Sequence, residues 1–201
     1  MTSVFIGGSR AVSRLNGIIL DKLDDLINRQ CMIFVGDASG ADKAVQQHLA
    51  SRGYGQVTVY CMEHCRNNLG NWPAKRVATP PGRSGFAYYA AKDLAMARDA
   101  KCGMMLWDGK SKGTLNNIQQ IIGAGKKALV YLAPEKPFYK VSTEQDLQDL
   151  LQRCDGSPSG KPTCKSGRSS LWRISRRCTR LAIRAAAQCD GTDLGTSSLI
   201  P

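Results

Sequence analysis

Three short stretches combine glycine, hydroxyl and charged side chains in an order suited to holding an anion. They are Gly7-Gly8-Ser9-Arg10, Gly36-Asp37-Ala38-Ser39-Gly40-Ala41-Asp42 and Trp107-Asp108-Gly109-Lys110-Ser111-Lys112-Gly113-Thr114, the last followed by Asn117. In the first, two glycines let the backbone approach an anion closely. Ser9 offers a hydroxyl there, and the Arg10 guanidinium pairs with phosphate at two points. The second stretch precedes a helical pattern, so its free N–H groups and the positive end of the helix dipole favour negative charge. Asp37 or Asp42 is then available to a ribose hydroxyl. The third offers two glycines, two lysines and two hydroxyls.

None of the three is a P-loop, because Gly-x-x-x-x-Gly-Lys-Ser/Thr does not occur. Nor does the dinucleotide fingerprint Gly-x-Gly-x-x-Gly occur, which counts against ordinary ATPase or NAD-dehydrogenase chemistry. Asp108 is the candidate acid for an N-glycosidic cleavage, though it equally suits an N-cap or a ribose acceptor. Trp107, at a strand end, serves either as core or as a platform for a base. His48 reads as a helix-surface residue and His64 as a loop residue near the same edge. Tyr88 and Tyr89 read as packing residues. Arg66, Lys75, Arg76 and Arg83 fall in a long loop, as solvated surface or as a lid over phosphates.

The elements that must position these residues alternate. Apolar β-rich runs at Ser3–Gly7, Cys31–Val35, Gln56–Cys61, Cys102–Trp107 and Lys127–Leu132 predict five strands. Between them, apolar residues at three-to-four spacing predict helices over Ser13–Arg29, Ala41–Ser51, Ala87–Ala100 and Thr114–Gly123. A further helix over Thr143–Gln152 follows, capped by Ser142 or Thr143, with Leu147, Leu150 and Leu151 inward. Such alternation predicts an α/β fold, a Rossmann-like, doubly wound, mostly parallel five-stranded sheet with helices on both faces. All three anion-suited stretches then lie at the carboxyl ends of strands, where such sheets bind ligands. The segment Glu63–Gly85, with Pro73, Pro80 and Pro81, reads as one long loop.

Residues 1–153 read as this domain, and 154–201 as a basic linker and poorly ordered tail. Formal net charge is +12. Residues 1–153 carry 20 Lys and Arg against 13 Asp and Glu, while 154–201 carry 8 against 3, so the tail holds +5 of the excess on less than a quarter of the chain. Within it, Leu171–Ala187 suggests a basic helix with Arg173, Arg176, Arg177, Arg180 and Arg184, a route by which nucleic acid could bind. No apolar run has the ~18–20 residues of a membrane helix. The N-terminus lacks signal-peptide layout, so a cytoplasmic protein without a membrane partner is expected. The eight cysteines lack the spacing of a disulfide scaffold and read as reduced thiols. Cys61, His64 and Cys65 alone approach a metal cluster, and a zinc site there would need distant partners. No metal and no cofactor are expected.

The junction order resembles that of the SLOG superfamily: Gly-Ser-Arg after strand one, Gly-Asp-Ala-Ser-Gly-Ala-Asp-Lys after strand two, Trp-Asp-Gly-x-Ser-x-Gly-Thr after strand four. Lys92-Asp93-Leu-Ala-Met96 is similar to that group's Arg/Lys-Asn/Asp-x-x-Met helix. The likeness covers residues 3–133 and is strongest to the small YspA-like branch. It implies a Rossmann-like fold and nucleotide-derived ligands, in a superfamily that includes Lonely Guy phosphoribohydrolases, DNA-processing protein A and sensors of cyclic ADP-ribose-type signals. Family members often self-associate, which implies a homo-oligomer as one state of this chain. Lonely Guy enzymes carry a glutamate where this chain has Asn117, and an amide cannot shuttle a proton. The expected function is therefore binding or sensing of a nucleotide or nucleotide-sugar. Nucleotide N-glycosidic hydrolysis and single-stranded nucleic-acid binding are the alternatives.

Overall fold

The computed structural model describes residues 1–78, 82 and 85–154. By its contacts the chain divides into two units, Met1–Pro158 and Ser159–Pro201. The predicted basic helix at Leu171–Ala187, and Arg83 of the long loop, lie outside the described residues.

Seven strands and five helices alternate along the chain. They are β1 (Ser3–Gly8), α1 (Gly17–Asn28), β2 (Met32–Gly36), α2 (Ala41–Ser51), β3 (Val57–Cys61) and β4 (Ala74–Arg76). There follow α3 (Gly85–Asp99), β5 (Cys102–Trp107), α4 (Lys112–Gly123), β6 (Lys127–Leu132), β7 (Phe138–Val141) and α5 (Glu144–Cys154). One sheet has the order β4-β3-β2-β1-β5-β6-β7. All pairings are parallel except the antiparallel β6–β7 pair.

The strand count of five is corrected to seven, because both additions lie at the sheet edges and carry little local signal. All three β4 residues are exposed, so no buried apolar pattern marks them. Their strand state comes from backbone pairing, Val59 with Ala74 through Cys61 with Arg76. β7 is four residues long and begins directly after Pro137. It is fixed by its return along β6, Ala128 opposite Val141 and Tyr131 opposite Phe138.

Strand alternation sorts the core into two layers. Val4 and Ile6 of β1 pack with Ile19, Leu23, Val45 and Leu49 from α1 and α2. Phe5, between them in sequence, packs on the other face with Met96, Ile118, Ile121 and Leu147 from α3, α4 and α5. The helix ends follow local chemistry. Asn16 caps α1, its Oδ1 accepting from the Ile19 N–H at 3.1 Å, so α1 starts later than the apolar spacing suggested. At α5, Thr143 Oγ1 accepts from the Asp146 N–H at 3.1 Å while Asp146 Oδ2 accepts from the Ser142 and Thr143 N–H groups, a reciprocal cap. On the outer surface His48 Nε2 lies 2.7 Å from Asp24 Oδ1, tying α2 to α1. Among the described residues, no helix is long and apolar enough to cross a membrane.

The strand order runs outward in one direction from β1 to β4 and in the other from β5 to β7. The reversal falls between β1 and β5. There the connections leave on opposite faces, and a crevice opens at the carboxyl ends.

Candidate functional site

A cleft of about 620 Å³ occupies that position. Its walls come from the ends of β1 and β5, the first turns of α2 and α4, and one side of α3. Three cations line it, Arg10, Arg66 and Lys92, with three carboxylates, Asp42, Asp93 and Asp108. Its interior therefore has no large excess charge, and the position of each group decides what can bind.

The first and third junctions are joined by a hydroxyl network. Buried Ser9 donates from Oγ to Asp108 Oδ1 at 2.9 Å and accepts from the Asp108 N–H at 3.2 Å. Thr114 Oγ1 stands 3.1 Å from both Ser9 Oγ and Ser111 Oγ. Ser9 and Thr114 thus connect β1 to α4. Asp108 Oδ1 also accepts from the N–H groups of Lys110 and Ser111, at 3.0 and 2.8 Å. Burial alone would raise the Asp108 carboxyl, but those N–H groups and the Ser9 hydroxyl outweigh it and hold it below the usual range. Asp108 stays ionised and closes a turn, which is the wrong state for the general acid of a glycosidic cleavage.

The second junction is filled by the protein's own groups. Asp42 Oδ2 accepts from the Ala38 N–H at 3.3 Å, and the Ser9 carbonyl accepts from the Ala41 N–H at 3.3 Å. Two of the donors expected for an anion at α2, the Ala38 and Ala41 N–H groups, therefore already have partners. Asp37, expected as a ribose acceptor, is 1% exposed. It takes the Arg66 guanidinium at 2.8 and 3.0 Å and the Arg66 N–H at 3.1 Å. Gly40, at φ +83°, has a packing role: a Cβ there would stand 2.4 Å from the Arg10 Cα. Gly8 likewise lets β1 settle against the Leu106 carbonyl and Ala41. Gly36 is filled over by Asp42 and Lys92.

Burial opposes a charge on Lys92, yet the carboxylates of Asp93, Asp42 and Asp37 outweigh it and raise its pKa. Its ammonium donates to Asp93 Oδ1 at 2.8 Å and lies 3.9 Å from Asp37. Asp42 responds in the opposite sense. Burial, with the like charges of Asp93 and Asp37, pushes it up to about 6 against the pull of Lys92. Asn117, 6% exposed, donates from Nδ2 to Asp93 Oδ2 at 3.3 Å. Its Oδ1 is buried, and no donor among the described residues reaches it. An acceptor left in that state costs about 1–3 kcal/mol.

Of the predicted residues, Gly7, Gly8, Arg10, Asp42, Lys92 and Asp93 line the cleft, as do Asp108, Ser111, Gly113, Thr114 and Asn117. Ser9 and Asp37 support it from below. Gly36, Ser39, Gly40, Trp107 and Gly109 do not line it. Trp107 is fully buried in the core layer under α3 and α4, and its indole N–H donates to the Ser111 carbonyl at 3.1 Å. It holds the third junction and offers no free face to a base. The open side of Gly109 faces Leu132 and Cys154.

The sequence left Arg66 between solvated surface and a lid over phosphates, marked Tyr89 as packing and did not single out Phe86, yet all three line the cleft. Arg66 spans from the Asp37 carboxylate to the face of Tyr89, 4.8 Å from the ring centroid. Phe86 is 61% and Tyr89 40% exposed, both facing the cleft. Two large aromatic residues three positions apart at the start of a helix were the available signal. Cys61, His64 and Cys65 do not line the cleft. Among the described residues, no group of three His, Cys, Asp or Glu side chains is placed to hold a metal ion.

No family model matches this chain, and no curated protein sequence matches it. Two solved structures are similar. One is DNA processing protein A from Helicobacter pylori, described with its single-stranded DNA binding mode. It is 12% identical over 89% of this chain and 80% of that one, with a TM-score of 0.50. The other is DNA processing protein A from Streptococcus pneumoniae, 16% identical over 78% of this chain and 57% of that one, with a TM-score of 0.49. At such identity the first likeness speaks to the fold, a Rossmann-like α/β sheet.

Proposed function

We propose that this chain binds a nucleotide or nucleotide-sugar of the ADP-ribose type in the cleft between β1 and β5, as a cytoplasmic sensor or carrier. The observation that carries this reading is how the cleft residues are arranged at the switch point of the sheet. Exposed Arg10 and the α4 N-terminus at Gly113 suit a phosphate. Phe86 and Tyr89 offer faces to a base. Asp93 and Asn117 offer acceptors. The cleft volume falls within the roughly 300–1,000 Å³ of small-ligand sites. Hydrolysis is not part of the reading, because Asp108 is held as a turn-closing carboxylate. The YspA-like branch of the SLOG superfamily is the placement that the motif order supports.

Single-stranded nucleic acid is the second reading. It is favoured by exposed aromatic rings that line the same cleft as Arg10 and Arg66, the pairing of stacking platform and cation that single strands use. DNA processing protein A from Helicobacter pylori, a fold neighbour, binds single-stranded DNA.

Calorimetric titration with ADP-ribose, AMP and a thymidine oligonucleotide at two salt concentrations tests both. The nucleotide reading expects saturable ADP-ribose or AMP binding with a shallow salt dependence, weakened about tenfold by Arg10→Ala, the loss of one charge-assisted contact. Tighter oligonucleotide binding with a steep salt slope would transfer the assignment to nucleic acid. Binding of none of these ligands would overturn both readings.

A further inference from the structure

We infer that Asp93 and Asn117 form a ribose-diol subsite at the α3–α4 side of the cleft, so that the chain selects ribonucleotides over deoxyribonucleotides. The inference rests on the nucleotide reading above. Three observations support it. First, the orientation of the Asn117 amide is fixed: Nδ2 points to Asp93 Oδ2 at 3.3 Å, which leaves Oδ1 as its other end. That oxygen is buried and meets no donor among the described residues, so among them its hydrogen-bonding capacity is unused.

Second, Asp93 is itself held in place. Its Oδ1 takes the Lys92 ammonium at 2.8 Å, and Lys92 is in turn buried beside Asp37 and Asp42. A carboxylate and an amide carbonyl both accept only. The ligand group that completes this end must therefore donate to the Asn117 Oδ1, and the neighbouring Asp93 oxygens, each holding one donor, keep a lone pair for a second. Vicinal hydroxyls supply such a pair of donors.

Third, charge excludes the alternative of a phosphate here. Asp42 and Asp93 line this part of the cleft, and the Lys92 charge is already balanced by carboxylates. A phosphate finds its partner instead at Arg10, which is exposed. Asp37, an acceptor expected from sequence, does not line the cleft and both its oxygens take Arg66, so the ribose acceptor role passes to α3 and α4.

The test is the affinity of the 201-residue chain for the four ribonucleoside 5′-monophosphates and their 2′-deoxy counterparts, measured by calorimetry. We expect at least a tenfold preference for the ribose form with every base. Uridine is the most informative of the four, because uracil has no exocyclic amine and only its ring N3–H to donate instead. Asn117→Leu, close in size to the amide, is expected to bring the two affinities within twofold; Asn117→Ala serves if that variant does not fold. Equal affinity for ribose and deoxyribose forms overturns this inference and leaves the nucleotide reading standing. So does a preference confined to amine-bearing bases, or one that survives the Asn117 substitution. Failure of every nucleotide to bind overturns the nucleotide reading together with this inference.

Discussion

The Asp37 carboxylate and the Arg66 guanidinium meet at 2.8 and 3.0 Å across 29 residues of sequence. Asp37 closes β2 and Arg66 opens the long segment after β3, so this pair fixes the start of that segment to the sheet edge. Burial alone would raise the Asp37 carboxyl, but the hydrogen bonds from the Arg66 side chain and backbone outweigh it and hold it low.

Removing Arg66 leaves an ionised group buried without its partner. Arg66→Ala is expected to destabilise the fold by about 2–3 kcal/mol, below the ~3–5 of a fully buried pair because Arg66 is partly in water. Arg66→Lys should recover only part, since an ammonium cannot reproduce the two-point pairing. Urea unfolding of the three proteins measures this. Equal midpoints for wild type and Arg66→Ala would show that the pair does not hold the segment.

A second prediction concerns pH. The folded-state pKa of Asp42 is raised to about 6, so the folded state binds more protons than the unfolded chain between about pH 4 and 6. The contribution of this group to stability therefore falls as pH rises through that window. Asp42→Asn keeps an oxygen for the Ala38 N–H and removes the titration. The variant is expected to gain stability relative to wild type from pH 4 to 7, read as a difference in Tm across a pH series. A constant difference over that range would mean that Asp42 titrates normally.

The third prediction separates packing from binding at the second junction. Gly40→Ala places a Cβ 2.4 Å from the Arg10 Cα at a φ of +83°. The backbone there, φ +83° with ψ −128°, is one that side-chain-bearing residues rarely adopt and costs about 1–3 kcal/mol, and overlap with rigid backbone costs about 1–3 more. Arg10 must shift, so nucleotide affinity and Tm should fall together. Gly53→Ala is the control, with φ +61° but open space around its Cβ, and should lose stability alone. Loss of affinity at Gly40 without loss of Tm would instead make Gly40 a ligand contact.

What was legible in the sequence was local. β5 and β6 have the bounds that their apolar runs indicate, and α2 has the bounds of its helical spacing. Strand–helix alternation is enough to place three junctions at one edge, because a parallel sheet brings the carboxyl ends together. The amino-acid sequence by itself thus determined the α/β class, the two-layer core and the edge at which chemistry gathers. It did not reveal β4, whose exposed Ala-Lys-Arg carries no pattern, nor the free amide oxygen of Asn117. Nor could it say which polar groups at that edge remain free. Ser9, Asp37, Asp108 and Thr114 carry the expected side chains yet satisfy one another, Arg66 or nearby backbone N–H groups, while Arg66 and Asp93 reach the cleft from separate segments. Periodicity is set by neighbours three or four residues apart. Hydrogen-bond satisfaction is settled between residues far apart, 105 positions for Ser9 and Thr114, and only the folded chain brings such partners within reach.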